Sequence, residues 1–251
     1  MNRYVQVVLQ LDGNTDLQTR IRACKSLPVT LGQIQSEMLF EELLELSEEP
    51  DPEPESPALF NELLNFFNRL KEPLPNYPQR LLLIIENESK AEVFRDYALQ
   101  QILAHAEYRL DAEKRRRVLS EAKKLSFEQY NSTLPGTYLL GVYLMSGKEG
   151  YASSSEIAQD AYSVASDPSY LVLNRISALQ ICGQMLYEPA LPLVREIAID
   201  AMEDIGLRMS AIATLGNFTS DSDEALLRGI VKSSMSSRLR YAARQALEKK
   251  P

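Results

Sequence analysis

Apolar residues recur every three or four positions along most of this chain, the spacing of a buried helical face. From Ser56 to Leu70 the inward set is Phe60, Leu63, Leu64, Phe67 and Leu70, and from Ile34 to Leu46 it is Met38, Leu39, Leu43 and Leu46. The run Leu81–Ile85 has the composition of a short buried strand. It reads as helix, because no second strand-like run is there to pair with it. A first helix is expected near Leu17, after the Gly13-Asn14 turn, with Asn14, Thr15 or Asp16 as its cap. Further helices are expected over 92–108, 111–125, 134–145, 153–166, 169–186, 188–203, 206–217, 221–234 and 236–249. Ser153 and Glu156 have the spacing of a capping box. Gly183, Gly206 and Gly216 stand near expected helix ends, where a left-handed residue often closes the last turn.

Within these helices one frame repeats: an arginine, an alanine three residues on, and an apolar residue four further. It reads Arg175, Ala178, Cys182, then Arg208, Ala211, Leu215, then Arg240, Ala243, Leu247. The arginines lie 33 and 32 residues apart (175 to 208 to 240), a period that signals stacked repeats. The frame occurs earlier at Arg20, Ala23, Leu27 and at Arg95, Ala98, Ile102. The gaps between these copies, 75 residues (20 to 95) and 80 (95 to 175), are each close to two periods.

The frame resembles the second helix of a HEAT or armadillo-type repeat, most clearly over 153–250. The resemblance implies an all-α, α-α superhelix (solenoid) of about six helical hairpins. It would fill 1–251 as a single domain, with degenerate repeats over 1–150 and regular ones over 151–251. Leu140, Gly141, Gly147, Gly150 and Tyr151 resemble part of a tetratricopeptide repeat, but Asp160 spoils a slot that needs a small residue, so this stretch reads as a weak HEAT-like unit.

With the frame arginine at zero, its alanine lies at about 300° and the last apolar residue at about 340° around the helix. Those two face neighbouring helices. The arginine can lay its stem on apolar surface and reach an acid or carbonyl in the adjacent repeat. Positions one, two and five after the arginine would line the concave face if the array resembles HEAT proteins. Ile176, Met209 and Tyr241 form an apolar row there, which either binds a protein or peptide or is buried by curvature. The partner-binding candidates are Tyr97, Ile176, Gln180, Met209 and Tyr241.

Charge changes this picture little. The chain of 251 residues carries 35 acids and 27 bases, a net charge of −8, and so repels polyphosphates unless a local basic face intervenes. Nucleic acid is therefore not expected as a general partner. The one basic patch is Lys114, Arg115, Arg116, Arg117, Lys123 and Lys124, and its three consecutive arginines spread over about 200° of helix. The segment 48–57, with Pro50, Pro52, Pro54 and Pro57 among acids, reads as an extended acidic loop. Cys24 and Cys182 fall at or beside inward slots and read as small core hydrophobes. No apolar run approaches the length of a membrane span, and the start of the chain is too short and too interrupted by Gln for a signal-peptide core. The expected location is cytoplasmic, or exported if a leader has been removed.

Candidate chemistry is sparse. His105 is the sole histidine, and a surface or cap-forming role is expected for it. With two separated cysteines, it cannot make a standard zinc site. Asp51, Glu53 and Glu55 lack the loop spacing of a calcium hand. No phosphate-binding glycine loop is present. The expectation is a non-catalytic scaffold or adaptor that binds a protein or peptide on its concave face, without catalytic residues, cofactor or metal. The alternative is a HEAT-like enzyme or nucleic-acid-acting protein using carboxylates or the 114–124 patch.

Overall fold

Helix starts along this chain are set by short capping sequences, and its helix ends by close packing as much as by turn residues. The computed structural model describes residues 1–11, 13, 15–48, 52–218, 220–233 and 236–249. Among them there are helices, turns and bends but no strand. Asn14 as a cap, the 49–51 part of the acidic loop and Lys250 lie outside the described residues.

The chain begins with a helix that the apolar pattern did not announce, α1 (Arg3–Val8), capped by the Asn2 side chain. In α2 (Leu17–Lys25) the cap is Asp16, which accepts from the Thr19 N–H at 3.0 Å and the Thr19 hydroxyl at 2.7 Å. The next two helices are α3 (Gln33–Ser47) and α4 (Ser56–Arg69), the latter with Pro57 in its first turn, where a missing N–H costs nothing. The strand-like run 81–85 is helical, inside α5 (Tyr77–Glu86). Then follow α6 (Glu92–Arg109), α7 (Ala112–Phe127), α8 (Leu134–Leu144) and α9 (Ser154–Ser166). The capping box of α9 is formed: the Ser153 hydroxyl accepts from the Glu156 N–H, and the Glu156 carboxylate accepts from the Ser153 N–H at 2.7 Å. The last five are α10 (Val172–Gln184), α11 (Leu191–Ile199), α12 (Ile205–Leu215), α13 (Asp221–Ser233) and α14 (Ser237–Glu248).

The helices fall into two compact units, residues 1–126 and 127–251. In the first, α2 packs on α4 and α4 on α6, while α1 lies on α2, α3 on α4 and α5 on α6. Its core is aromatic: Phe40, Phe60, Phe66, Phe67, Tyr77 and Phe94 are all buried. In the second, α8 packs on α10, α10 on α12 and α12 on α14, with α9, α11 and α13 each against the helix that follows. Each unit thus has a row of inner helices with a second row laid against it.

The frame residues hold these rows together. Ala23, Ala98, Ala178, Ala211 and Ala243 are all buried, as the angular reading required. The arginines are more than edge residues, for Arg20, Arg95 and Arg175 are buried too. Each donates its Nε–H to a carbonyl near the end of the preceding helix: Arg20 to Val8 (2.9 Å), Arg95 to Ile85 (3.1 Å) and Arg175 to Ala165 (3.1 Å). Two also pair with an acid further along, Arg20 with Glu42 and Arg175 with Glu203. Arg20 and Arg175 are thereby held on more than one edge, while Arg95 is held through its Nε alone and its buried Nη2 has no partner.

The glycines depart from expectation. Gly183 is inside α10, Gly206 is in the first turn of α12, and Gly216 has φ −64°, so none is a left-handed cap. They are small because other chain comes close. The left-handed residue that closes α10 is Leu186 (φ 50°), with Leu186 N–H donating to Gly183 O at 3.3 Å and Tyr187 N–H to Cys182 O at 2.9 Å. Gln10 (φ 54°) closes α1 with the same pair of bonds. These are Schellman closures built without glycine.

Candidate ligand cleft

The inner helices of the second unit meet around a cleft of about 280 Å³. Leu140 and Tyr143 of α8 form one wall. Gln180, Ile181 and Gln184 of α10 also line it, with Ala213, Thr214 and Asn217 of α12 and the loop after it, and Lys249 just past the end of α14. Next to the cleft α10 and α12 come close at Gly183: a Cβ there would stand 2.9 Å from Asn217 Nδ2 and 3.0 Å from Thr214 Cγ2. Thr214 is buried and spends its hydroxyl proton on Leu179 O at 3.0 Å. That leaves its oxygen as an acceptor.

The remaining polar groups are uncommitted. Among the described residues, the Gln180, Gln184 and Asn217 amides have no hydrogen-bond partner in the protein, and Lys249 has no ion pair. Gln180, Gln184 and Lys249 are exposed, while Asn217 and Tyr143 are half-buried. Three primary amides and one ammonium therefore border a single hollow beside apolar Leu140, Ile181 and Ala213.

Gln180 is the one expected partner-binding residue that lines this cleft. Ile176, Met209 and Tyr241 sit earlier on the same helices, Ile176 and Met209 half-buried and Tyr241 64% exposed. The Ser210 hydroxyl donates to Ile176 O at 3.3 Å, so α12 lies tight on that part of α10. Tyr97 lies on α6 in the first unit and is half-buried.

Reading the frame missed Tyr143, Gln184, Thr214, Asn217 and Lys249, though a signal for three of them was present. Gln184, Asn217 and Lys249 stand nine positions after Arg175, Arg208 and Arg240. The same position holds Val29 after Arg20 and Ala104 after Arg95. The polar row is thus a property of the second unit's copies.

Other candidates resolve into structure. Arg115 of the basic patch donates to the carbonyls of Ala106 (2.7 Å), Glu107 (3.1 Å) and Leu110 (2.9 Å), capping α6. Lys114 pairs with Asp111 and Arg117 with Glu113. His105 is not a surface residue: it is buried, its ring lies 5.2 Å from that of Tyr77, and its Nδ1 is 3.2 Å from Asn68 Oδ1. Burial, helped by the Arg109 charge, pulls its pKa down to about 4. Cys24 and Cys182 are free and buried, and burial pushes each thiol up to about 12, which keeps both protonated and unreactive. Among the described residues no group of three or more His, Cys, Asp and Glu could hold a metal ion. No described helix is long and apolar enough to cross a membrane.

No protein-family model matches the chain, and no curated protein matches it either. Among solved structures, the chain is similar to human deoxyhypusine hydroxylase in complex with glycerol, at 14% identity over 98% of this chain and 94% of that one, with a TM-score of 0.36. That structure is of an enzyme, and the expected reading as a non-catalytic scaffold is withdrawn.

Proposed function

We propose that this chain binds a small polar molecule in the cleft of its second unit, on a framework of HEAT-like helical pairs. The observation that carries the reading is the convergence of Gln180, Gln184, Asn217 and Lys249, none with a protein partner among the described residues, on one hollow. Side-chain amides offer both donors and acceptors, and the apolar lining residues among them can take a ligand's carbon-bound parts. A volume of about 280 Å³ lies just below the range of drug-sized sites and suits a metabolite of modest size.

The test is ¹⁵N-NMR with a panel of small polar metabolites. Saturable shifts confined to the Gln180, Gln184 and Asn217 side-chain amides and their neighbours are expected, and Gln180→Ala with Asn217→Ala should remove them while the helical circular dichroism stays unchanged. If the whole panel leaves these signals still, or shifts survive the double substitution, the cleft is not the site.

A further inference from the structure

The cleft also carries information about the charge of its occupant, and this step rests on the binding reading above. Its nine lining residues include no aspartate or glutamate, although the chain has 35 acids against 27 bases. Its only charged member is Lys249. Among the described residues that ammonium has no ion pair, and no carboxylate shares the lining with it. A cation left without a counter-ion beside three amides forms a local positive spot in a protein of net charge −8.

We infer that the ligand is a small hydroxylated carboxylate, such as a hydroxy acid or sugar acid. Its carboxylate is held by Lys249 at the end of α14, and its hydroxyls by the Gln180, Gln184 and Asn217 amides. The charge-assisted bond to Lys249 is the stronger contact, because an ionised pair outlasts a neutral one in partly screened surroundings. The amides match hydroxyls, since each group can donate to and accept from the other. The buried Thr214 oxygen, its proton already given to Leu179 O, accepts from one more hydroxyl. Leu140, Ile181 and Ala213 take the carbon-bound face. Phosphate alone would satisfy Lys249 but leave the amide row and the apolar lining residues unused.

The full chain is titrated with gluconate, with sorbitol as its neutral counterpart, and with inorganic phosphate, while the same amide signals are followed. Gluconate is expected to bind in the cleft at least tenfold more tightly than sorbitol. Lys249→Gln should weaken gluconate about tenfold and sorbitol by much less. A gluconate affinity that falls as salt rises supports the same assignment, because only the charge contact is screened. If sorbitol binds as tightly as gluconate, or if Lys249→Gln changes neither, the carboxylate assignment is overturned while binding in the cleft stands. If phosphate alone binds, the hydroxylated class is overturned. If nothing in this set or in the wider metabolite panel moves the cleft signals, the binding reading falls as well.

Discussion

Gly216, at the end of α12, lies against Ala246 of α14 so closely that a Cβ built on it would stand 2.8 Å from the Ala246 Cβ and 2.9 Å from its Cα. This contact sets the approach of two inner helices in the second unit. Gly216→Ala must push α12 and α14 apart, and overpacking of that kind costs about 1–3 kcal/mol. Gly229, inside α13 with nothing within 4 Å of its would-be Cβ, is the matched control. There the same change should stabilise the protein by about 0.5–1 kcal/mol through helix propensity. Urea denaturation of both variants checks the pair. Equal effects would show that propensity, not packing, governs both sites.

The frame alanines were legible because each is buried between helices, and three of the five arginines because each caps the preceding helix, whereas the buried Arg208 Nε makes no such bond. An alanine that must fit between helices cannot vary, and an arginine that caps the preceding helix recurs with it. The glycines misled because a small residue near a helix end has two uses. Gly183 and Gly216 serve close packing, and Leu186 takes the left-handed position that sequence assigns to glycine. The cleft was harder to see because it is built where helices end. Gln184, Asn217 and Lys249 differ in type and share only a place nine residues after their arginines. Periodicity finds what repeats in kind, and a binding row repeats only in position. His105 was misjudged because Tyr77 and Asn68, which enclose it, are distant in sequence.

Leu186 offers a gain in stability. It holds φ 50° as the closing residue of α10 and is 57% exposed, so it pays left-handed strain with little burial in return. A non-glycine residue in that region costs about 1 kcal/mol or more. Leu186→Gly should therefore raise stability by about 1 kcal/mol, seen as a higher urea midpoint with an unchanged slope. A lower midpoint would mean that the exposed leucine makes more of its contacts than its strain costs.

Acid should weaken the first unit through His105. Its folded pKa, about 4, lies below the ordinary value of 6.5, so the folded state binds fewer protons than the unfolded state between those values. Stability is then complete above about pH 6.5 and falls as pH drops toward 4. From pH 7 to 4.5 the loss from this residue is about 2 kcal/mol. His105→Gln keeps a hydrogen-bonding group toward Asn68 and removes the titration. The variant's urea stability should fall about 2 kcal/mol less than the wild type's over that interval. Parallel curves would assign acid sensitivity to other groups.

The outer helices α11 and α13 are joined by an ion pair whose acid is fully inside. Arg195 Nε donates to Asp223 Oδ1 at 2.6 Å and its Nη2 to Oδ2 at 3.1 Å, while the Asp223 side chain is 1% exposed and that of Arg195 37%. The Ser220 hydroxyl also donates to Asp223. The two-point bond to Asp223 raises the Arg195 pKa. Arg195→Ala leaves a buried carboxylate without its cation, at a cost of about 2 kcal/mol, below the figure for a fully buried pair because the arginine is partly open to water. Asp223→Ala leaves only a part-exposed arginine that water can reach, so it should cost less. The double variant should then be more stable than the Arg195→Ala single one, since no uncompensated charge remains inside. A double-mutant cycle by urea denaturation measures the difference. Additive losses would show that partners other than Arg195 carry the Asp223 charge.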